Sequence, residues 1–178
     1  MANNNIILIG FMGVGKGTIA RALVKYNNTT DCSSLCFAVD TDDLIESMEN
    51  RLIKKIFKED GEPYFRDLEK RCASWCESNL TNTIISTGGG FYRQENINKI
   101  GKVIYLQSSF EKIIERLKNS PNSKAKFKKR PLLKDLVEAK KIYNTRITEY
   151  EKVADIIINV EDRDMDRIIQ EIKTKVNG

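Results

Sequence analysis

The chain has 178 residues, a formal net charge of +5, 40% hydrophobic residues and 31% charged residues. This composition is typical of a globular protein with one core. Its apolar runs are far shorter than the ~20 residues that span a bilayer, and no secretion signal precedes the first apolar run. We therefore expect a single domain over residues 1–178 that works in the cytoplasm as a monomer, without a membrane partner.

The sequence contains four cysteines and no histidine. The cysteines form two C-x3-C pairs, Cys32 with Cys36 and Cys72 with Cys76, whereas zinc sites favour C-x2-C or C-x4-C spacings and often recruit histidine. We expect small buried thiols in a reducing compartment. Without histidine, acid–base chemistry must be carried out by carboxylates.

Short apolar runs typical of β-strands alternate with helical segments along the chain. The predicted strands are Ile6–Ile9, Leu35–Val39, Thr83–Ser86, Lys102–Leu106 and Asp155–Val160. The predicted helical segments are Thr18–Lys25, Asp42–Asn79, Gln94–Ile100, Phe110–Lys118, Asp135–Val153 and Asp164–Val176. This alternation predicts an α/β fold with a parallel sheet covered on both faces. Two polar stretches, Asn27–Ser34 and Lys118–Arg130, are predicted as loops, the second of them mobile.

The segment Gly10–Thr18 directly follows the first predicted strand and precedes a helix. Strand, glycine-rich turn, lysine and helix form the layout of a P-loop, in which backbone N–H groups and a lysine surround phosphates. One position departs from the pattern, because Gly17 stands where a Ser or Thr hydroxyl normally holds Mg²⁺. Whether Thr18 takes over that role is left open by the sequence. The candidate ATP-binding residues here are Gly13, Val14, Gly15, Lys16, Gly17 and Thr18.

Two further groups follow the second and third predicted strands. Asp40 and Asp42 come at the carboxyl end of a strand, where carboxylates can hold Mg²⁺ or accept a proton from an attacking hydroxyl. Helix capping, with Thr41 or Asp42 as the N-cap, is the alternative. The glycines at 88–90 lack side chains, so a small polar ligand can approach their N–H groups, although a plain flexible turn is also compatible with them.

Three arginines complete the candidate residues. Arg66 lies three residues before Glu69, a spacing at which a carboxylate could fix the guanidinium for bidentate binding of an acid. Arg130 ends a lysine-rich stretch where a closing lid could bring its charge to a phosphate, and Arg146 lies on the next predicted helix. Each alone is also compatible with a solvated surface arginine. A P-loop gives these cations a polyphosphate to bind, so nucleic acid is not an expected partner.

Taken together, these motifs resemble the shikimate kinase family along nearly the whole chain. The resemblance rests on five signatures in order: the G-x-M-G-x-G-K loop, D-x-D-x-x-I-E from Asp40, F-x-x-x-G-E-x-x-F-R-x-x-E from Phe57, the triple glycine, and R-P-L at Arg130.

The resemblance implies a three-layer P-loop kinase fold with a five-stranded parallel sheet in the order 2-3-1-4-5, helices on both faces and a mobile lid. It also implies transfer of the ATP γ-phosphate to the 3-hydroxyl of shikimate, within aromatic amino-acid synthesis. By matching positions, the acceptor-binding lobe would span about 43–79 and the lid about 118–133.

The resemblance also assigns roles to individual residues. Asp42 would bind the ring hydroxyls and act as the base, and Arg66 and Arg146 would bind the shikimate carboxylate. The glycines Gly88, Gly89 and Gly90 would contact ring hydroxyls through their amides. Lys16 and Arg130 would stabilise the transferred phosphoryl group, while Thr18 and, through water, Asp40 would hold Mg²⁺.

Two alternatives stay open at the level of sequence. The G-K-G-T ending of the loop is also found in adenylate kinases, which favours a nucleoside-monophosphate kinase. A nucleotide-binding protein without catalysis is the other alternative, because Gly17 removes a Mg²⁺ ligand.

Overall fold

The computed structural model of the protein describes residues 4–30, 35–128 and 130–178. Its strands are β1 (Ile6–Ile9), β2 (Phe37–Asp40), β3 (Thr83–Ser86), β4 (Lys102–Gln107) and β5 (Ile156–Asn159). All neighbouring strands pair in parallel and form one sheet in the order β2-β3-β1-β4-β5. The predicted fold class and strand order are confirmed.

Helices connect the strands and cover both faces of the sheet. They are α1 (Lys16–Thr30), α2 (Thr41–Glu49), α3 (Ile53–Glu59), α4 (Gly61–Asn79), α5 (Ile97–Ile100), α6 (Phe110–Asn119), α7 (Ser123–Lys128), α8 (Leu136–Val153) and α9 (Met165–Asn177). Helices α1 and α9 contact each other and the sheet, while α5 and α8 contact β4. Every residue of β1 and β3 is buried, which requires cover on both sides, as expected for short continuous apolar strands.

The predicted helical segment Asp42–Asn79 is divided into three helices. The first ends at Asn50, whose backbone adopts the left-handed conformation (φ 49°) that asparagine tolerates at a helix end. The third begins at Gly61, where φ is +81°. These breaks allow α2, α3 and α4 to contact one another as a compact unit beside the carboxyl end of β2.

The predicted loop over Asn27–Ser34 is wrong for its first four residues, because α1 continues to Thr30. Tertiary contacts hold this polar end of the helix in place. The Asn28 side chain accepts a hydrogen bond from the backbone N–H of Cys36 and donates one to its carbonyl, at 3.0 and 3.1 Å. In addition, Lys173 donates to Asn27. The remaining predicted loop residues, 31–34, lie outside the described residues.

The predicted loop over Lys118–Arg130 is also wrong in part, since α7 occupies Ser123–Lys128. The backbone N–H of Lys126 bonds to the carbonyl of Asn122, which adopts φ 59° before the helix. Arg130 donates from its side chain to the Lys126 carbonyl and so caps the end of this short helix.

Three of the four cysteines lie within the described residues and are buried free thiols: Cys36, Cys72 and Cys76. The last two share one face of α4, as their spacing of four predicts, and mutual hydrogen bonding raises the pKa of the Cys72 thiol. Cys32 lies outside the described residues. In the described part of the chain, no helix has the length and apolar character needed to cross a membrane.

Candidate active site

The loop after β1 adopts the backbone of an anion-binding turn. Gly10, Gly13 and Gly15 have φ values of 140°, 88° and 105°, which disfavour any residue with a side chain. The loop leads into the N-terminus of α1, where helix N–H groups and the helix dipole favour phosphate. The Lys16 ammonium is buried and donates to the carbonyls of Gly10 and Phe11 at 2.7 and 3.2 Å, so it already lies within the turn.

The carboxyl ends of β2, β3 and β1 meet beside this loop and are tied together by side chains. Asp40 is opposite Ser86 in the strand register, and the Ser86 hydroxyl donates to Oδ2 of Asp40 at 2.7 Å. Thr87 donates to the carbonyl of Leu8 on β1, while the N–H of Gly88 donates to the Thr41 hydroxyl. These bonds fix the strand ends that carry the candidate carboxylates.

Asp40 is the N-cap of α2, because its Oδ1 accepts from the N–H of Asp42 at 3.0 Å. The predicted alternative, an N-cap at Thr41 or Asp42, is wrong. The helix starts one residue earlier since Thr41 already has helical geometry and its hydroxyl is used by Gly88. Asp42 is therefore free of the capping role and lies in the first helical turn.

The Asp42 carboxyl has an environment suited to a proton acceptor. Its Oδ1 is buried and has no hydrogen-bond partner among the residues described. Burial, followed by the neighbouring charges of Asp40 and Glu69, raises the pKa of Asp42 to about 7. Burial likewise lowers the pKa of Lys16 to about 8, although both aspartates oppose this shift. Such perturbed pairs are typical of active sites.

The triple glycine brings the candidate acceptor-binding side chains together. A Cβ atom built on each glycine would lie against a different one of them: 2.5 Å from Oδ1 of Asp42 at Gly88, 3.0 Å from Nη1 of Arg146 at Gly89, and 2.5 Å from Nη1 of Arg66 at Gly90. At nearly every one of these positions, a side chain would displace the charged group beside it. The glycines are thus required by close approach rather than by flexibility.

Arg66 is held by two carboxylates of α4. Its Nη1 donates to Oε2 of Glu69 at 2.6 Å, and its Nε and Nη2 donate to Oε1 of Glu62 at 3.0 and 2.5 Å. The Glu69 side chain is buried, and burial raises the pKa of this carboxyl while Arg66 opposes the shift. The predicted pairing of Arg66 with Glu69 is confirmed, and Arg66 is a fixed guanidinium.

Arg146 is buried, so the alternative of a solvated surface arginine is wrong for this residue. Its Nη1 donates to the carbonyl of Gly89 at 3.2 Å, and the Tyr150 hydroxyl donates to the same carbonyl at 2.7 Å. Among the described residues, the buried Nε of Arg146 finds no hydrogen-bond partner. Because a buried N–H without a partner is costly, this atom is a candidate for binding an anionic ligand.

A cavity of about 610 Å³ joins the P-loop to the strand ends. It is lined by Met12, Gly13, Gly15, Lys16, Gly17, Thr18, Arg21, Asp40, Asp42, Asp43, Ser86, Thr87, Gly88, Gly89, Arg116, Leu117, Ser120, Lys126 and Arg130. Most candidates meet here. Arg66, Arg146 and Gly90 border the same glycine turn without lining this cavity, and the Val14 side chain is buried in the core.

Two arginines line the cavity near the P-loop. Arg116, in the last turn of α6, donates to the carbonyl of Gly13, and its guanidinium lies beside Gly15. Arg130 also lines the cavity, and burial lowers the pKa of both guanidinium groups. Together with Lys16 they make this end of the cavity strongly cationic, which suits a polyphosphate.

Sequence reasoning missed three residues of the site: Ser86, Arg116 and Tyr150 as a positioning residue. Ser86 and Tyr150 had detectable signals, because one lies two residues before the glycine turn and the other lies four residues after Arg146 on the same helical face. Arg116 had none, since it reaches the P-loop only through the packing of α6.

The donor set fits a magnesium ion bound together with a nucleotide. Among the described residues no group of three or more acidic, cysteine or histidine side chains forms a protein-only metal site. Magnesium that binds together with a nucleotide is usually held by one or two carboxylates plus substrate phosphates. Asp40, with Ser86 beside it, offers such oxygens in the same cavity as the P-loop.

Known proteins share both the sequence and the fold. The family described as shikimate kinase matches residues 12–177. A shikimate kinase of Helicobacter hepaticus is 37% identical over 87% of this chain and 86% of its own length, and one of Persephonella marina is 38% identical over 97% and 98%. The structure of shikimate kinase from Acinetobacter baumannii in complex with shikimate matches with a TM-score of 0.80 and 27% identity, covering 98% of this chain and 93% of that chain. This chain therefore belongs to the shikimate kinase family.

Proposed function

We propose that the protein transfers the γ-phosphate of ATP to the 3-hydroxyl of shikimate, a step of aromatic amino-acid synthesis. The observation that carries this proposal is the glycine turn at 88–90, against which Asp42, Arg146 and Arg66 all lie. A small polyhydroxy acid needs cationic groups for its carboxylate and a carboxylate for its hydroxyls, and this turn presents both. The same edge of the sheet holds the P-loop, which supplies the phosphate site.

The carboxylate of the acceptor would be bound by the two arginines. Arg66 is held rigidly by Glu62 and Glu69, so little side-chain entropy is lost on binding. Arg146 has a buried Nε that needs an acceptor. Amides of the glycine turn, with Gly89 at its centre, would contact the ring hydroxyls.

Asp42 would act as the base. Its unpartnered Oδ1 accepts the proton of the 3-hydroxyl while that oxygen forms a bond to the γ-phosphorus and the bond to the β-bridging oxygen breaks, leaving ADP. A pKa of about 7 lets the carboxyl be ionised in the ground state and still compete for the proton.

Charge on the transferred phosphoryl group would be balanced by Lys16 and Arg130. Lys16 would exchange its bonds to loop carbonyls for bonds to phosphate oxygens, and Arg130, which lines the same cavity, would add a second positive charge. Magnesium, for which the sequence offers Thr18 and, through water, Asp40 as ligands, would supply further neutralisation when bound with ATP.

We further propose that residues 43–79 form the acceptor-binding lobe and residues 118–133 the lid of a single domain, which acts as a monomer. Lid closure would exclude water, since hydrolysis competes with transfer. The position of α7 and Arg130 over the cavity supports this assignment.

An ATP-turnover assay with shikimate, gluconate and AMP offered separately tests the proposal. We expect ADP formation with shikimate and only background rates with gluconate and AMP. AMP-dependent turnover without a response to shikimate would instead indicate a nucleoside-monophosphate kinase. Absence of turnover with any acceptor would favour a nucleotide-binding protein without catalysis.

A further inference from the structure

Position 17 has a glycine that the backbone does not require. Its φ lies outside the left-handed region, and a Cβ there would meet its nearest neighbours at ordinary van der Waals distances. These neighbours are Nη1 of Arg21 at 3.4 Å, Oγ of Ser86 at 3.7 Å and Oδ2 of Asp40 at 3.9 Å. A serine would fit. The missing side chain therefore leaves a space next to a hydroxyl and a carboxylate supplied by two other strand ends.

Ser86 is placed to use that space. It ends β3, between Leu8 of β1 and Asp40 of β2 in the strand register, and only 3% of the residue is exposed. Its hydroxyl donates a hydrogen bond to Oδ2 of Asp40, with an O–O distance of 2.7 Å. The oxygen thus keeps two lone pairs for another partner, and hydrogen bonding to a carboxylate increases its electron density.

The side chain of Thr18 points in a different direction. It is the next residue of α1, so its side chain points about 100° around the helix axis from that of residue 17, and it is exposed. Ser86, in contrast, borders the side of residue 17 from which a Cβ would project.

We propose that Ser86 supplies the hydroxyl oxygen for the divalent cation at the place where residue 17 has no side chain, with Asp40 as its charged partner. Hard cations such as Mg²⁺ prefer oxygen ligands, and this pair borders the P-loop cavity. The inference rests on the proposed function, because the cation enters with the nucleotide.

A double-mutant cycle in metal affinity tests this assignment. The dissociation constant of Mn²⁺ is measured by electron paramagnetic resonance in the presence of ADP for the wild-type protein, Ser86→Ala, Gly17→Ser and the double variant. We expect Ser86→Ala to weaken Mn²⁺ binding about tenfold with Gly17 present. In the Gly17→Ser background the same change costs less than about threefold, because the new hydroxyl takes the role.

If Ser86 had only a structural role, the double-mutant cycle would give a different result. Loss of its bond to Asp40 would weaken Mn²⁺ binding equally in both backgrounds, and additivity of this kind would overturn the inference. An unchanged affinity in Ser86→Ala would also overturn it, as would a loss found only in Thr18→Val. If wild-type protein with ADP binds no Mn²⁺, both this inference and the proposed metal-dependent function fail.

A second variant covers the case in which Ser86→Ala does not fold. Ser86→Cys keeps the size of the side chain but replaces a hard oxygen with a soft sulfur, which prefers Cd²⁺ over Mn²⁺. We expect the Cd²⁺-to-Mn²⁺ affinity ratio of the ADP complex to rise at least tenfold above that of the wild type, which carries the same native cysteines. An unchanged ratio would contradict contact between residue 86 and the cation.

Discussion

At the scale of single residues, Asp42 shows how the fold creates reactivity. The side chain is released from helix capping because Asp40 performs it, and it is directed toward Gly88, where a Cβ would lie 2.5 Å from Oδ1. Burial next to Asp40 and Glu69 then raises its pKa to about 7. A carboxyl whose pKa lies close to the pH of the cell is an effective base.

Asp42→Asn should lower kcat at least ~10²-fold, because the amide cannot accept the hydroxyl proton. Steady-state kinetics with saturating shikimate and Mg²⁺-ATP measure this. Asp166→Asn, an exposed aspartate in the first turn of α9 that does not line the cavity, is the matched control and should reduce kcat by less than about threefold. An Asp42→Asn protein with wild-type kcat would show that the base lies elsewhere.

The same substitution should stabilise the protein without ligands. A raised carboxyl pKa means that the folded state binds more protons than the unfolded state between about pH 4 and pH 7, so stability falls as the pH rises through this window. At pH 8 the buried charge is fully present, and Asp42→Asn should increase the free energy of unfolding by about 2 kcal/mol.

At pH 5 the carboxyl is largely protonated in the folded state but already ionised in the unfolded state, so the gain should fall to about a third of its value at pH 8. Urea unfolding of both proteins at the two pH values, without nucleotide or metal, measures the difference. Equal gains at pH 5 and pH 8 would contradict the assigned cause.

At the scale of elements, the turn after β3 determines the geometry of the proposed acceptor site. Three successive glycines let guanidinium and carboxylate groups from α2, α4 and α8 approach one backbone segment. The hydroxyl of Tyr150 and the guanidinium of Arg146 both bind the Gly89 carbonyl, which fixes the orientation of the turn.

Two substitutions in this turn should separate its contributions. Gly88→Ala places a Cβ against the Asp42 carboxylate and should lower kcat about 10²-fold by displacing the base. Gly89→Ala meets the flexible end of Arg146 at 3.0 Å, so it should mainly raise the KM for shikimate. Kinetics of the two variants, compared with their thermal stability, test this; identical changes in kcat and KM would argue for a general distortion instead.

Sequence patterns were sufficient to predict the strands of the sheet, but they were insufficient to predict the polar helices. Apolar runs such as Ile6–Ile9 predict buried strands directly, whereas the order of the strands was implied only by the resemblance to the family. The end of α1 was missed because Asn28 is a poor helix former whose side chain is held by Cys36. The site residue Arg116 was missed since only the packing of α6 brings it to the P-loop.

At the scale of the whole molecule, the sheet edge joins two binding functions. The cavity carries the cations Lys16, Arg116 and Arg130 around the P-loop, and it also carries Asp42 beside the glycine turn. Under the proposed function, this arrangement would place donor phosphate and acceptor hydroxyl next to each other, and the proposed lid would close the site.

Ligand binding should stabilise the entire domain. Shikimate at 100 times its dissociation constant adds about 2.7 kcal/mol, which corresponds to an increase in Tm of roughly 5–10 °C for a chain of this size. Differential scanning fluorimetry measures the shift. Arg146→Lys should abolish most of it, because lysine cannot bind a carboxylate in a bidentate manner. A full shift in that variant would contradict the role of Arg146 in acceptor binding.

The most direct test of the central claim is ³¹P nuclear magnetic resonance of a reaction containing the wild-type protein, Mg²⁺-ATP and shikimate. We expect one new phosphomonoester signal whose phosphorus couples to the proton on carbon 3 of the shikimate ring, growing in step with ADP. Growth of inorganic phosphate alone, or coupling to a proton on another ring carbon, would contradict it.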